Sequence, residues 1–223
     1  MRRVAVLAAI LVAAAIAAGS AGATNECRGL QVCVPVAGPW VVTRSHEVQF
    51  QLQCPARFIV GGLDAELSRR GVDVAFRGGV GSPVNPGITT STSAIFLART
   101  VSGRSPATFR PHIGCIPATG GGQRFPTVYH VAPAKPLAPT MFDLPVVPGI
   151  HTLTVACRGG QALIGATHAV GFFTDAPPSP ALQRSVKVSQ TIHRGLVRLT
   201  VKAGPLEGVR AVVQADLLCV RAA

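Results

Sequence analysis

The chain has 223 residues, of which 48% are hydrophobic and only 13% charged, with a formal net charge of +12. That apolar fraction supplies a core and excludes wholesale disorder. Gly (24) and Pro (18) are too frequent, and aromatic residues at 5% too sparse, for a coiled coil, a multi-span membrane protein or a zinc-finger array.

The first segment reads as an export signal rather than as structure. Arg2 and Arg3 form a positive n-region, Val4 to Ala18 is an unbroken apolar run, and Ser20-Ala21-Gly22-Ala23 offers the small residues a signal peptidase accepts. Residues 1–23 are therefore expected to be removed, lowering the formal charge to +10. An uncleaved anchor is the alternative, because the run nearly reaches spanning length. Acylation at Cys27 is not expected, since Thr24-Asn25-Glu26 precedes it.

Export makes the cysteines legible. Cys27, Cys33, Cys54, Cys115, Cys157 and Cys219 are an even set in an oxidising compartment, which implies three disulfides out of 15 possible pairings. An internal repeat selects among them. Val48–Gln53 alternates before Cys54, and His151–Ala156 alternates before Cys157, so Phe50 and Leu52 match Leu153 and Val155 on one strand face. Eight positions after each cysteine stands a glycine, Gly62 and Gly165. Ala94–Val101 matches Leu196–Val201, and each copy closes on a strand ending at Cys115 or Cys219. Intervals of 61 and 62 residues then pair Cys54 with Cys115 and Cys157 with Cys219, leaving Cys27–Cys33 as a local loop. Closing a loop of about 60 residues contributes roughly 4 kcal/mol on the chain-entropy model, which matters for units of this size.

Gly120–Gly122 and the proline-rich stretch from Val131 to Pro148 separate the copies and read as a linker or as an edge segment. Gly81–Gly87 and Asp175–Pro180 are loop-forming at comparable places in the two copies. The expected fold is thus all-β: a signal peptide (1–23), a first sandwich-like unit (24–116), a Gly/Pro-rich connection (117–148) and a second unit (149–223), each unit with an internal disulfide.

Strand-borne cysteines about 60 residues apart resemble the immunoglobulin pattern. No Trp lies in the middle of either unit, and Ile113 and Leu217 stand where a Tyr would precede the second cysteine, so the resemblance extends to two sheets joined by a disulfide and not to that superfamily. The run Cys54-Pro-Ala-Arg-Phe-Ile-Val-Gly-Gly62 resembles a strand motif of disulfide-stapled secreted domains in high-GC bacteria, and 18 Arg against 3 Lys suits such a genome. That resemblance carries no activity.

Chemistry-bearing patterns are few. Asp64 and Glu66 point to one side of a strand, but Thr167 and Ala169 replace them in the second copy. His46, His112, His130, His151, His168 and His193 show no metal-ligand spacing, and His112 with Cys115 competes with a disulfide. Ser82, Ser91, Ser93, Ser102 and Ser105 lie in no nucleophile motif. No catalytic residue, metal or cofactor is assigned. The excess of positive charge draws such a chain to anionic polymers, whereas scattered arginines and few aromatics exclude specific nucleic-acid readout. The reading favoured is a secreted or cell-surface, non-enzymatic β-domain protein that binds an anionic envelope polymer, with no membrane span after signal cleavage. Two other classes stay open: an extracellular hydrolase using Asp64, Glu66 and His46 or His168, and an inhibitor inserting the Cys27–Cys33 loop or the 81–87 loop.

Overall fold

The computed structural model describes residues 24–30, 32–78, 92–101, 107–118 and 138–221. The signal segment, the 81–87 loop, Gly120–Gly122, most of the proline-rich connection, His130 and Ser82, Ser91, Ser102 and Ser105 lie outside them. The described chain is all-β. Strands β1 (Val34–Ala37), β2 (Trp40–Val42), β3 (Val48–Gln53), β4 (Phe58–Leu67), β5 (Val72–Gly78), β6 (Ser93–Thr100) and β7 (Thr108–Pro117) form the first half. The second half holds β8 (Ala138–Val146), β9 (Gly149–Ala156), β10 (Gln161–Phe173), the short helix α1 (Pro180–Ser185), β11 (Val186–His193), β12 (Leu196–Ala203) and β13 (Arg210–Arg221). The segment expected to be loop runs as loop from Asp175 to Ser179, and the helix begins at Pro180. Pro180 opens it, and the Ser179 hydroxyl accepts from the Leu182 amide at 3.2 Å.

Three sheets result: a seven-stranded sheet in the order β1-β7-β2-β10-β13-β8 with β4 on the other edge of β7, and two three-stranded sheets, β3-β6-β5 and β11-β12-β9. The halves follow one pattern of connections. Val34 lies opposite Cys115 as Ala138 lies opposite Cys219. Val60 opposes Cys115 and Leu163 opposes Cys219, and in both cases the register slips by one residue immediately afterwards. The glycines that follow each first cysteine at a fixed distance are therefore the residues just past a β-bulge, which re-aims the strand beside the disulfide.

The halves are not two separate sandwiches. Trp40 and Val41 of β2 pair with Phe172 and Gly171 of β10, so one sheet runs through both. A side chain at position 171 would stand 2.5 Å from the Pro39 ring, and glycine is what lets the strands approach. The segment preceding Pro148 contributes β8, an edge strand paired along its length with β13. Edge placement tolerates Pro139 and Pro145, which lack N–H donors.

The small sheets cover opposite faces of the large one. Phe50, Leu52, Ala94 and Phe96 pack on Val41, Phe109, Ile113 and Ala169. Val197, Leu199 and Val201 pack on Val170, Phe172, Val213 and Leu217. Each long-range disulfide ties a small sheet to the large one, Cys54–Cys115 behind β3 and Cys157–Cys219 behind β9, both with Cα atoms 5.7 Å apart. Cys27–Cys33 closes the amino-terminal loop. All three bonds are those expected from the sequence. They fit an extracellular location, and among the described residues no helix is long and apolar enough to cross a membrane.

Candidate functional site

The outer face of the β11-β12-β9 sheet concentrates chemistry that the sequence disperses. In β12 the odd residues Val197, Leu199, Val201 and Ala203 are buried, so Leu196, Arg198, Thr200 and Lys202 point away from the core. Register fixes their neighbours. Lys202 lies between Lys187 of β11 and Ile150 of β9, Thr200 between Ser189 and Thr152, Arg198 between Thr191 and Thr154, and Leu196 between His193 and Ala156. Among the described residues the face carries three cations, five hydroxyl side chains and no carboxylate. All of these residues are exposed except Thr200, which is half-buried. Lys202 lies four positions along the strand from Arg198, a distance of about 13 Å.

The Lys187–Lys202 pair is unusual on electrostatic grounds, since like charges directly opposite on neighbouring strands are destabilising. The first half provides the comparison. There the position equivalent to Lys202 is Arg99, whose partner on β5 is Asp73, and the two form an ion pair at 3.2 Å. Where the first sheet neutralises its cation, the second places a second cation. Among the described residues no acidic group pairs with Lys187, Lys202 or Arg198.

The residues considered for hydrolysis divide into two groups. Asp64 and Glu66 lie on β4 facing His112 of β7. Glu66 approaches His112 Nε2 at 3.7 Å, and the buried Glu26 approaches Nδ1 at 3.8 Å. Asp64 accepts from the Asn25 amide at 2.6 Å. These contacts hold the amino-terminal segment against the sheet. The Glu26 carbonyl sits over the facing pair Gly62 and Gly114, where any Cβ would collide with it. Gly62 thus has a second role, as a seat for the loop that Cys27–Cys33 closes. Its counterpart Gly165 has no such neighbour.

His168 belongs to a different place. Its Nδ1 donates to Gln190 Oε1 at 3.0 Å, and Gln190 in turn donates to the Ala166 carbonyl at 2.8 Å, which fixes the amide orientation and hence the imidazole tautomer. Burial holds the His168 pKa below its ordinary value, aided by the nearby charges of Arg44 and His46 and opposed by the Gln190 hydrogen bond. His46 and His168 therefore share surroundings with Arg44, while Asp64 and Glu66 cluster with His112 and Glu26. Among the described residues no group of three or more His, Cys, Asp or Glu is placed to hold a metal.

A cleft of about 630 Å³ opens between the outer edge of β3 and the face formed by β8, β10 and β13. Its lining is mixed, with Gln53, Arg158 and Gln161 beside Leu52, Phe173 and Val212. One backbone position on that edge is already satisfied. The Gln214 side chain accepts from the Gln51 amide at 2.6 Å, returns a hydrogen bond to the Gln51 carbonyl, and is oriented by Asp143 at 2.9 Å.

Along the linear sequence the basic residues lie singly and look scattered. Taking every second residue of Lys187-Val-Ser-Gln-Thr191, Arg198-Leu-Thr-Val-Lys202 and Thr152-Leu-Thr154 recovers the face. No protein-family model, curated protein or solved structure matches the chain.

Proposed function

We propose that the protein is exported and acts outside the cytoplasm as a non-enzymatic binding module for an anionic polymer of the cell envelope, using the outer face of β11-β12-β9. The observation that carries this reading is the Lys187–Lys202 pair, which among the described residues has no acidic partner where the first half has Asp73 with Arg99. A folded sheet bears such a pair at a cost, and bound anionic groups remove the cost. Arg198 extends the positive strip, and the hydroxyls of Thr152, Thr154, Ser189, Thr191 and Thr200 supply hydrogen-bond donors to phosphate or carboxylate oxygens without repelling them. The three disulfides and the signal-like amino terminus support export.

The test is retention on phosphocellulose and on purified cell wall along a salt gradient. The wild-type chain is expected to bind at low ionic strength and to elute as salt screens the contacts. The triple variant Lys187→Gln, Arg198→Gln, Lys202→Gln should elute markedly earlier. A control with the same charge removed elsewhere, at the exposed Arg28, Arg57 and Arg70, should elute close to wild type. Equal shifts in both triples would show that net charge alone governs retention and would refute the assignment of the site.

A further inference from the structure

We infer that β9 is a self-pairing edge, joining two copies of the chain through antiparallel β9–β9 contact about a two-fold axis at Leu153. An unprotected edge strand offers unpaired N–H and C=O groups to any other chain, and proteins ordinarily blunt such edges with charge, proline or a cover. Among the described residues the other sheet edges are blunted, the short β1 by Pro35. On the seven-stranded sheet, β8 carries Pro139, Asp143 and Pro145, and β4 carries Asp64 and Glu66. On the sheet of the first half, β5 carries Asp73, and β3, which is uncharged, is capped at Gln51 by the Gln214 amide. On the third sheet, β11 carries Lys187.

Strand β9, Gly-Ile-His-Thr-Leu-Thr-Val-Ala, has no Asp, Glu, Lys, Arg or Pro over eight residues, and among the described residues nothing pairs with its outer edge. The strand is also complementary to itself. With Leu153 on the axis, Thr152 of one copy stands opposite Thr154 of the other, a favourable cross-strand pair. Ile150, 68% exposed in the single chain, stands opposite Ala156. No charge meets a like charge. The product is a closed, isologous dimer with a continuous six-stranded sheet. The inference is independent of the polyanion reading, because it rests on backbone edges and needs no ligand, though pairing would also set the two cationic faces side by side.

The experiment is sedimentation velocity of the full chain, without any polyanion, over a concentration series. The expected result is a mass that rises to twice the monomer. Thr152→Lys with Thr154→Lys places lysines opposite lysines across the axis and should weaken association more than ten-fold while thermal melts show an intact fold. Ile150→Lys provides a second, single-site version. Ser189→Lys with Thr191→Lys adds the same charge at the opposite edge, on β11, and should leave the dimer in place. A wild-type chain that stays monomeric up to about 1 mM, where association is worth only about 4 kcal/mol, would overturn the inference. So would β9 variants that still dimerise, or a β11 variant that does not.

Discussion

Replacing Lys187 by Asp converts the like-charge pair into the counterpart of Asp73–Arg99, and the consequences for stability and binding run in opposite directions. An opposite-charge cross-strand pair contributes about 0.2–1 kcal/mol, and a like-charge pair costs a similar amount. Both side chains are exposed, so solvent screening holds the combined gain near 0.5–1 kcal/mol. For a chain of this size that is a rise in Tm of about 1–4 °C. The gain is electrostatic, so it should shrink between about 0.1 M and 1 M salt, as the Debye length falls from about 10 Å to about 3 Å. Calorimetry of Lys187→Asp at both ionic strengths, together with its elution from phosphocellulose, reads both effects. The variant should melt higher at low salt and leave the resin earlier than wild type. A lower Tm at low salt, or a raised Tm with unchanged retention, would show that this pair is not held in tension for a ligand.

Other perturbations address the scaffold. Gln214→Leu leaves the Gln51 N–H and C=O without partners and should lower stability by about 1–3 kcal/mol, read as a fall in the urea midpoint. Gly114→Ala forces a methyl against the Glu26 carbonyl and the Cys33 sulfur and should cost about 1–3 kcal/mol, whereas Gly165→Ala, with its nearest neighbour at 3.9 Å, should be tolerated. Comparing the two denaturation midpoints tests whether the glycine seat is specific to the first half. His168 has a depressed pKa in the folded chain, so on acidification below about pH 6.5 the unfolded chain takes up the proton first and stability falls. The loss should begin below that pH, finish near the lower folded value, and be missing from the stability curve of His168→Gln.

The strand alternation and the cysteine intervals made most of the architecture legible. Val48–Gln53 and His151–Ala156 are strands leading into bridged cysteines, and the equal intervals identified the long-range bonds. The shared sheet was not legible. It depends on Gly171 admitting Pro39 and on two residue pairs between β2 and β10, a contact of 130 residues' separation that no local pattern encodes. The proline-rich segment before Pro148 offered a linker or an edge, and an edge strand is what its last residues form, because β13 supplies the pairing on one side and among the described residues nothing pairs on the other. Asp64 and Glu66 were visible as a pair on one strand face. Their partners, Glu26 and His112, come from distant segments, and only the folded register shows that they fasten a loop. The cationic face has no signature in the linear sequence, because its members lie on three strands and meet only through the β11-β12-β9 register.

Whether the β11-β12-β9 face takes an anionic polymer is read by an NMR titration of the labelled chain with a polyphosphate, following backbone amides and the Lys and Arg side-chain signals. Salt-sensitive shifts confined to outward residues of β9, β11 and β12, led by Lys187, Lys202 and Arg198, are expected. Shifts centred on the β3 cleft, or spread evenly over every exposed arginine, would contradict that expectation.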